Sequence, residues 1–402
     1  MQCRHCRAPL RLTLVDLGAA PPSNSYITPE RLNSPERWYP LRVLVCERCW
    51  LAQTEDFTEA QELFDEEYAY FSSYSSGWLT HAARYVENIS ERLELSGESL
   101  VMEVASNDGY LLKNFVARGV PCFGVEPTRS TAAAARALGI DVVEEFFGER
   151  LARGLLESRG GVDLALGNNV LAHVPDINDF VAGFRVLLKP AGVVTFEFPH
   201  LQELLEHGQF DTIYHEHYSY LSLHAVRSVL ESQGLRLFDV ERLTTHGGSL
   251  RVYAQRADTG GRVESERVES VLCAERAAGL CEAVTYERFG RMVFERKLRF
   301  LEGLVTAKRA GKRIAAYGAA AKGNTLLNYA GVRADMIDYV VDRNPHKQGK
   351  LLPGSRIPIV AAFQEPAPDV VLILPWNLRA EIMGENLLPK RADVYTYMDF
   401  TT

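Results

Sequence analysis

The sequence predicts an α/β protein in three parts: a small cysteine-stapled unit, a central α/β unit and a second α/β unit at the C-terminal end. Three observations carry this. Two C-x-x-C pairs stand near the front, Cys3/Cys6 and Cys46/Cys49. Apolar runs then alternate with helical patterns, as in doubly wound sheets. A second, shorter series of such runs begins near Arg313.

The front unit comes first. A C-x-x-C turn aims two thiolates at one point, and two such turns complete a tetrahedral S4 site, which zinc prefers. Cys3, Cys6, Cys46 and Cys49 are therefore expected to hold structural Zn2+, with 39 residues folding between the pairs. A redox dithiol would need one pair only. His5 reads as a turn residue. The proline- and asparagine-rich stretch up to residue 68 fits a metal-stapled unit.

Residues 78–95 are expected to be helical, with Trp78, Ala82, Tyr85, Ile89 and Leu93 at helical spacing. Runs 99–105, 121–125, 162–166 and 192–198 read as buried parallel strands, with helices over 129–138 and 177–188 between them. A helix near 223–233 precedes strands 235–243 and 249–256, which only Thr244–Gly248 separate, so they should pair as an antiparallel hairpin. Residues 259–311 read as helical. Strands follow at 313–317, 336–341 and 369–374. The expected division is 1–68, 69–258 and 259–402.

Composition narrows the functional classes. Apolar residues make up 47% and charged residues 24%, an ordinary globular balance, and the net charge is -8. An acidic chain lacks the clustered Lys and Arg that neutralise phosphate backbones, so no nucleic-acid partner is expected. No apolar run approaches the roughly 20 residues needed to cross a bilayer, and Met1–Cys6 holds no apolar signal core. A cytoplasmic protein, monomeric and free of membranes, is expected.

Ligand chemistry collects at strand ends. Strand 99–105 runs into Glu103-Val104-Ala105-Ser106-Asn107-Asp108-Gly109, where small residues let a ligand approach the backbone. Only Gly109 is glycine, so the turn is not a pyrophosphate G-x-G-x-x-G. The next strand ends at Glu126-Pro127, an acid suited to both hydroxyls of a ribose. The third ends at Asn168-Asn169, suited to an adenine or methionine edge. The pattern resembles a Rossmann-like S-adenosylmethionine-dependent methyltransferase.

The densest polar segment is Asp211-Thr212-Ile213-Tyr214-His215-Glu216-His217-Tyr218-Ser219-Tyr220, after the fourth strand. An imidazole there can take a proton near neutral pH. His215 and His217, two residues apart, point to opposite sides of an extended chain, which disfavours a shared metal. At the second α/β unit, Tyr317-Gly318-Ala319-Ala320-Ala321-Lys322-Gly323-Asn324 follows a strand and opens a helix. Its backbone amides and Lys322 suit a phosphate, and Asp342 ends the next strand.

With these motifs together, the chain resembles the sugar C-methyltransferases of unusual deoxysugar pathways. The resemblance spans essentially the whole length and includes the paired C-x-x-C unit, Y-x-Y-F-S-S (68–73), E-x-A-S-N-D-G (103–109), Y-H-E-H-Y-S-Y (214–220), H-G-G-S-L-R (246–251) and Y-G-A-A-A-K-G-N (317–324). It implies C-methylation at C3 of a nucleotide-linked 4-keto-6-deoxy sugar, of dTDP or GDP type, with S-adenosylmethionine as donor. It implies His217 as base, Tyr214 and Glu216 placing or polarising it, and Tyr68 or Tyr70 at the substrate or its enolate. Phe71, Glu103, Ala105, Ser106, Asn107, Gly109, Glu126, Pro127, Asn168 and Asn169 would bind the donor. His246, Arg251, Tyr317, Gly318, Ala320, Lys322, Asn324 and Asp342 would bind the substrate. The alternatives are an O- or N-methyltransferase of another small molecule, or a zinc-containing, non-catalytic donor-binding protein.

Overall fold

The computed structural model describes residues 1–55, 72–385 and 387–400. Tyr68, Tyr70 and Phe71 lie outside these residues.

The front unit is built on β1 (Leu12–Ala20), β2 (Tyr39–Val45) and β3 (Ala52–Thr54), paired antiparallel in that order. One face is apolar and buried, through Leu12, Leu14, Val43 and Val45.

The central sheet begins with β4 (Val101–Val104), β5 (Cys122–Val125), β6 (Asp141–Val143), β7 (Val162–Asn168) and β8 (Leu188–Pro199), all parallel. Parallel strands covered on both faces must be apolar throughout, which is why these runs show no alternation. A two-residue strand, β9 (Ser219–Tyr220), leaves for the front unit and pairs with β3. The chain returns as β10 (Leu235–Leu243) and β11 (Ser249–Arg256), the expected hairpin. β11 inserts antiparallel beside β8, so the seven strands run β10-β11-β8-β7-β4-β5-β6. Helices Arg129–Ala137, Ile177–Leu187 and Leu223–Ser232 lie where the pattern placed them. β6 and the helix Glu149–Arg159 were not expected: the first is three residues at a sheet edge, and the second carries a charge at five of its eleven positions.

The stretch 259–311 is a pair of helices, Glu266–Ala277 and Ala283–Arg309, and not one. Gly279 adopts φ +76° between them, a left-handed conformation that stops the first helix at little steric cost. The longer helix packs on β1 so closely that a Cβ on Gly290 would lie 3.0 Å from the Leu14 carbonyl.

The last sheet holds β12 (Ile314–Tyr317), β13 (Val340–Val341), β14 (Ile359–Val360), β15 (Val370–Ile373) and β16 (Asp393–Tyr395), parallel in the order β14-β13-β12-β15-β16. The strand expected over 336–341 shortens to two residues, because the amides of Met336 and Ile337 close a turn on the Arg333 carbonyl.

The three sheets share cores. One apolar cluster joins Cys3, Leu44 and Leu51 to Phe196 and Val226 of the central unit. Another joins Leu14 and Val43 to Phe289, Leu326 and Leu372. Among the described residues, no helix is long and apolar enough to cross a membrane.

Candidate active site

A cavity of about 390 Å³ opens where the strand ends of the central sheet meet the polar segment after β8 and the first turn of the last unit.

Its first end is made by the turn after β4. Ala105, Asn107 and Gly109 all take positive φ there, at +56°, +51° and +78°. A Cβ on Gly109 would lie 2.5 Å from Ile140 Cδ1, so the turn has no room for another residue. This reversal brings Ala105 and Asn107 to the cavity wall beside Glu126, Pro127 and Asn168. The Glu126 carboxylate accepts from the amides of Asn107 (3.0 Å) and Thr128 (2.9 Å). Burial raises its pKa despite these amides. Asn168 Oδ1 and both amide atoms of Asn169 are buried with no protein partner. Leaving such groups unpaired costs about 1–3 kcal/mol each, so they fit a polar ligand. Together with the apolar rings of Phe146, Phe147 and Phe180 on the same wall, the residues fit S-adenosylmethionine: an acid for the ribose diol, apolar walls for the base, amides for the amino-acid end.

Three expected donor residues support this wall without lining it. Glu103 is 1% exposed, and burial, reinforced by the charges of Glu126 and Asp108, holds its carboxyl well above the usual range. Ser106 packs against Gly124, where a Cβ would lie 2.2 Å from Ser106 Oγ. Gly109 makes the turn. Asn169 lines the cavity with Asn168.

The middle of the cavity carries His217, Tyr214, His173 and His246. His217 Nδ1 lies 2.9 Å from the Thr212 carbonyl. A carbonyl only accepts, so Nδ1 carries the hydrogen and Nε2 keeps its lone pair. Burial, reinforced by neighbouring His173, pushes the His217 pKa well below its ordinary value, so the ring is neutral at pH 7. The Tyr214 ring lies 4.0 Å from it between centroids, and the His173 ring 4.6 Å. His173 is held in turn by donating from Nδ1 to the Glu216 carbonyl at 2.8 Å, and burial lowers it to about 4. His246, at φ +55° in the hairpin loop, is likewise lowered by burial to about 4.

The expectation that Glu216 orients His217 is corrected here. The Glu216 carboxylate accepts from Asn24 Nδ2 at 3.1 Å, and the Thr212 carbonyl orients the His217 ring instead. His215 turns the other way, toward the Tyr39 carbonyl at 3.2 Å.

The far end is formed by Ala320, Ala321, Lys322, Lys347 and Asn377. Lys322 Nζ donates to Asn377 Oδ1 at 2.9 Å and sits 4.6 Å over the Trp376 ring. Burial lowers it to about 8, with the Asp211 charge opposing. Five expected substrate residues do not line the cavity. Tyr317 stacks on Phe363 on the other side of its sheet. Gly318 takes φ +88°, with Pro375 Cδ 2.5 Å from where a Cβ would sit. Asn324 donates to the Ser23 carbonyl at 2.6 Å, and Asp342 accepts from the amides of Ala319 (2.7 Å) and Asn344 (2.8 Å). Arg251 donates to Glu197 at 2.5 Å, where His81 also binds. Burial alone would raise Glu197, but His81 and Arg251 outweigh it and bring it to about 2.

Sequence reasoning missed His173, Asn24 and Lys347. His173 had a signal, since it follows Asn168-Asn169 just past a strand end, where ligands bind. Asn24 and Lys347 had none; only the folded chain brings them to the cavity.

The four front thiols stand apart from this cavity. Their sulfurs lie within 4.8 Å of one another, with Cys3–Cys49 at 3.6 Å and Cys6–Cys46 at 3.4 Å. Tetrahedral thiolates about 2.3 Å from zinc lie about 3.8 Å apart, so the cluster fits that ion and leaves no open position. Among the described residues no other His, Cys, Asp or Glu group is so arranged. His5 is occupied by Asn178 and Ser228.

Comparison with known proteins adds to this geometry. Family models of a zinc binding domain, a methyltransferase domain and a C-methyltransferase C-terminal domain match residues 3–64, 78–240 and 244–391. The C-methyltransferase NovU of Streptomyces niveus is 35% identical over 384 residues, covering 95% of this chain and 91% of that protein. Among solved structures, magnesium protoporphyrin IX methyltransferase from Synechocystis PCC 6803 is 15% identical with a TM-score of 0.35, over 45% of this chain and 83% of that one. An S-adenosylmethionine-dependent methyltransferase from Clostridium acetobutylicum ATCC 824 is 12% identical with a TM-score of 0.36, over 46% and 92%.

Proposed function

We propose that this chain, which belongs to the family of S-adenosylmethionine-dependent C-methyltransferases, methylates C3 of a nucleotide-linked 4-keto-6-deoxy sugar. The observation that carries the proposal is one continuous cavity. Its lining includes Asn107, Glu126 and Asn168, then His217, and also Lys322 and Lys347. A donor, a sugar ring and a phosphorylated tail need three such stations in a row.

Bound S-adenosylmethionine supplies an already activated methyl group. The residues of the chain must then make a carbon nucleophile. A ketone at C4 acidifies the C3 hydrogen, and His217 Nε2 takes that proton while the electron pair moves onto the C4 oxygen. Burial keeps the ring neutral beforehand and excludes water from the carbanion. The positive charge of Lys322, felt at both His217 and His246, favours negative charge on this side of the cavity. Lys322, Lys347 and the Ala321 amide at the helix start face the nucleotide phosphates. The zinc unit, the donor unit and the nucleotide unit divide as 1–68, 69–258 and 259–402.

The test is a pair of substrates. A nucleotide-linked 4-keto-6-deoxyhexose should gain one methyl at C3, and its C4 alcohol none. Methylation of the alcohol on oxygen would contradict the proposal. On the substrate side, Lys322→Ala should raise the sugar-nucleotide KM by about tenfold or more, the weight of a charge-assisted contact. Donor affinity should stay constant. A changed donor affinity with constant sugar KM would reassign the last unit.

A further inference from the structure

The carbonyl that orients His217 belongs to a turn held mainly from the last unit. Phe210–Thr212 form one 3-10 turn. Asp211 in its centre is fully buried. Its Oδ1 accepts from the Tyr397 hydroxyl at 2.8 Å, and its Oδ2 accepts from Trp376 Nε1 at 2.8 Å. Two residues on, the Ile213 carbonyl accepts from Thr325 Oγ1 at 2.8 Å. The Thr212 carbonyl lies between these two anchors and receives the His217 Nδ1 hydrogen. Trp376 also lies under Lys322, which lines the cavity, and a Cβ on Gly247 would meet its ring at 2.4 Å.

From this geometry we infer that Asp211, pinned by Trp376 and Tyr397, is a positioning residue through which the last unit fixes the tautomer and aim of His217. The inference rests on His217 being the base. A carbonyl that could swing away would release Nδ1–H, and the ring would sample the tautomer with its hydrogen on Nε2, which cannot accept the C3 proton. Two donors on two different oxygens stop the turn from rotating about either bond alone. The same indole contacts the substrate-side cation, so seating of the nucleotide and setting of the base share one support.

The experiment uses the full zinc-loaded chain with 15N-labelled histidine. In the native protein His217 should show a protonated Nδ1 and an unprotonated Nε2. Tyr397→Phe removes one donor that does not line the cavity and leaves every charge in place. It should lower kcat by about tenfold with KM for the sugar nucleotide unchanged, and the His217 pattern should become a mixture of tautomers. Asp211→Asn should lower kcat by about a hundredfold, within the range a positioned base contributes, and should also raise KM, because Lys322 loses its counter-charge. If Asp211→Asn fails to fold, Trp376→Phe carries the same readouts as a second loss of one donor. Native kcat and a native tautomer pattern in these variants would overturn the inference. Turnover retained by His217→Asn would instead overturn the choice of base, so the two failures are told apart.

Discussion

His217→Asn is expected to lose turnover by a factor of about 10²–10⁴, the range of a positioned general base, while donor affinity stays near native. Asparagine can still donate to the Thr212 carbonyl, as Nδ1–H does now at 2.9 Å, so the turn should keep its shape. It offers no basic nitrogen toward the cavity. The donor wall does not depend on the ring, since Glu126 is held by the amides of Asn107 and Thr128. Isothermal binding of the donor and steady-state rates separate the two effects. Turnover within a few-fold of native would reject His217 as the base. The pH dependence has a defined sign. Burial and His173 lower the folded pKa of His217 well below 6.5, so the active neutral form persists at pH 6.5. The acid limb that belongs to His217 lies below that value, with the rate falling as pH drops through the lowered pKa.

Removal of zinc should be the second large effect. Structural zinc contributes roughly 10–16 kcal/mol in small zinc-binding peptides, as large as a domain's whole net stability of about 5–15 kcal/mol. Cys46→Ala, or chelation, should therefore unfold the front unit. The damage should reach the chemistry. β9 pairs with β3, the Thr54 amide donates to the Tyr218 carbonyl at 3.1 Å, and Thr54 Oγ1 donates to the His217 carbonyl at 3.1 Å. The segment carrying His217 thus runs into the edge strand of the front sheet. Thermal unfolding, elemental analysis and kcat should fall together. Unchanged stability with no bound zinc would reject the structural-metal assignment.

Much of this was legible before folding. β4, β5, β7 and β8 are apolar on both faces, and the Thr244–Gly248 turn announces its hairpin. Cysteine pairs announce their own geometry. Tyr214–Tyr220 stands out because so many polar and aromatic groups fall together. What was hidden depends on long-range placement. Glu216 lies next to His217 in sequence, which suggested a direct partnership, yet their side chains point to different neighbours, Asn24 and the Thr212 carbonyl. Arg251 and Asp342 carry charges suited to ligands, but Glu197 and the amides of Ala319 and Asn344 engage them first. Trp376 and Tyr397 matter through Asp211, a residue far from both in sequence. The break at Gly279 turned on a single backbone angle inside an otherwise helical pattern.

The central claim is proton removal from C3 by His217 ahead of methyl transfer. It is tested most directly by incubating the native chain with a nucleotide-linked 4-keto-6-deoxy sugar in D2O without donor, and following C3 by NMR. Deuterium should enter C3 with the native chain and not with His217→Asn. A native chain that methylates the sugar yet leaves C3 unlabelled, or a variant that labels it at the native rate, would contradict the account.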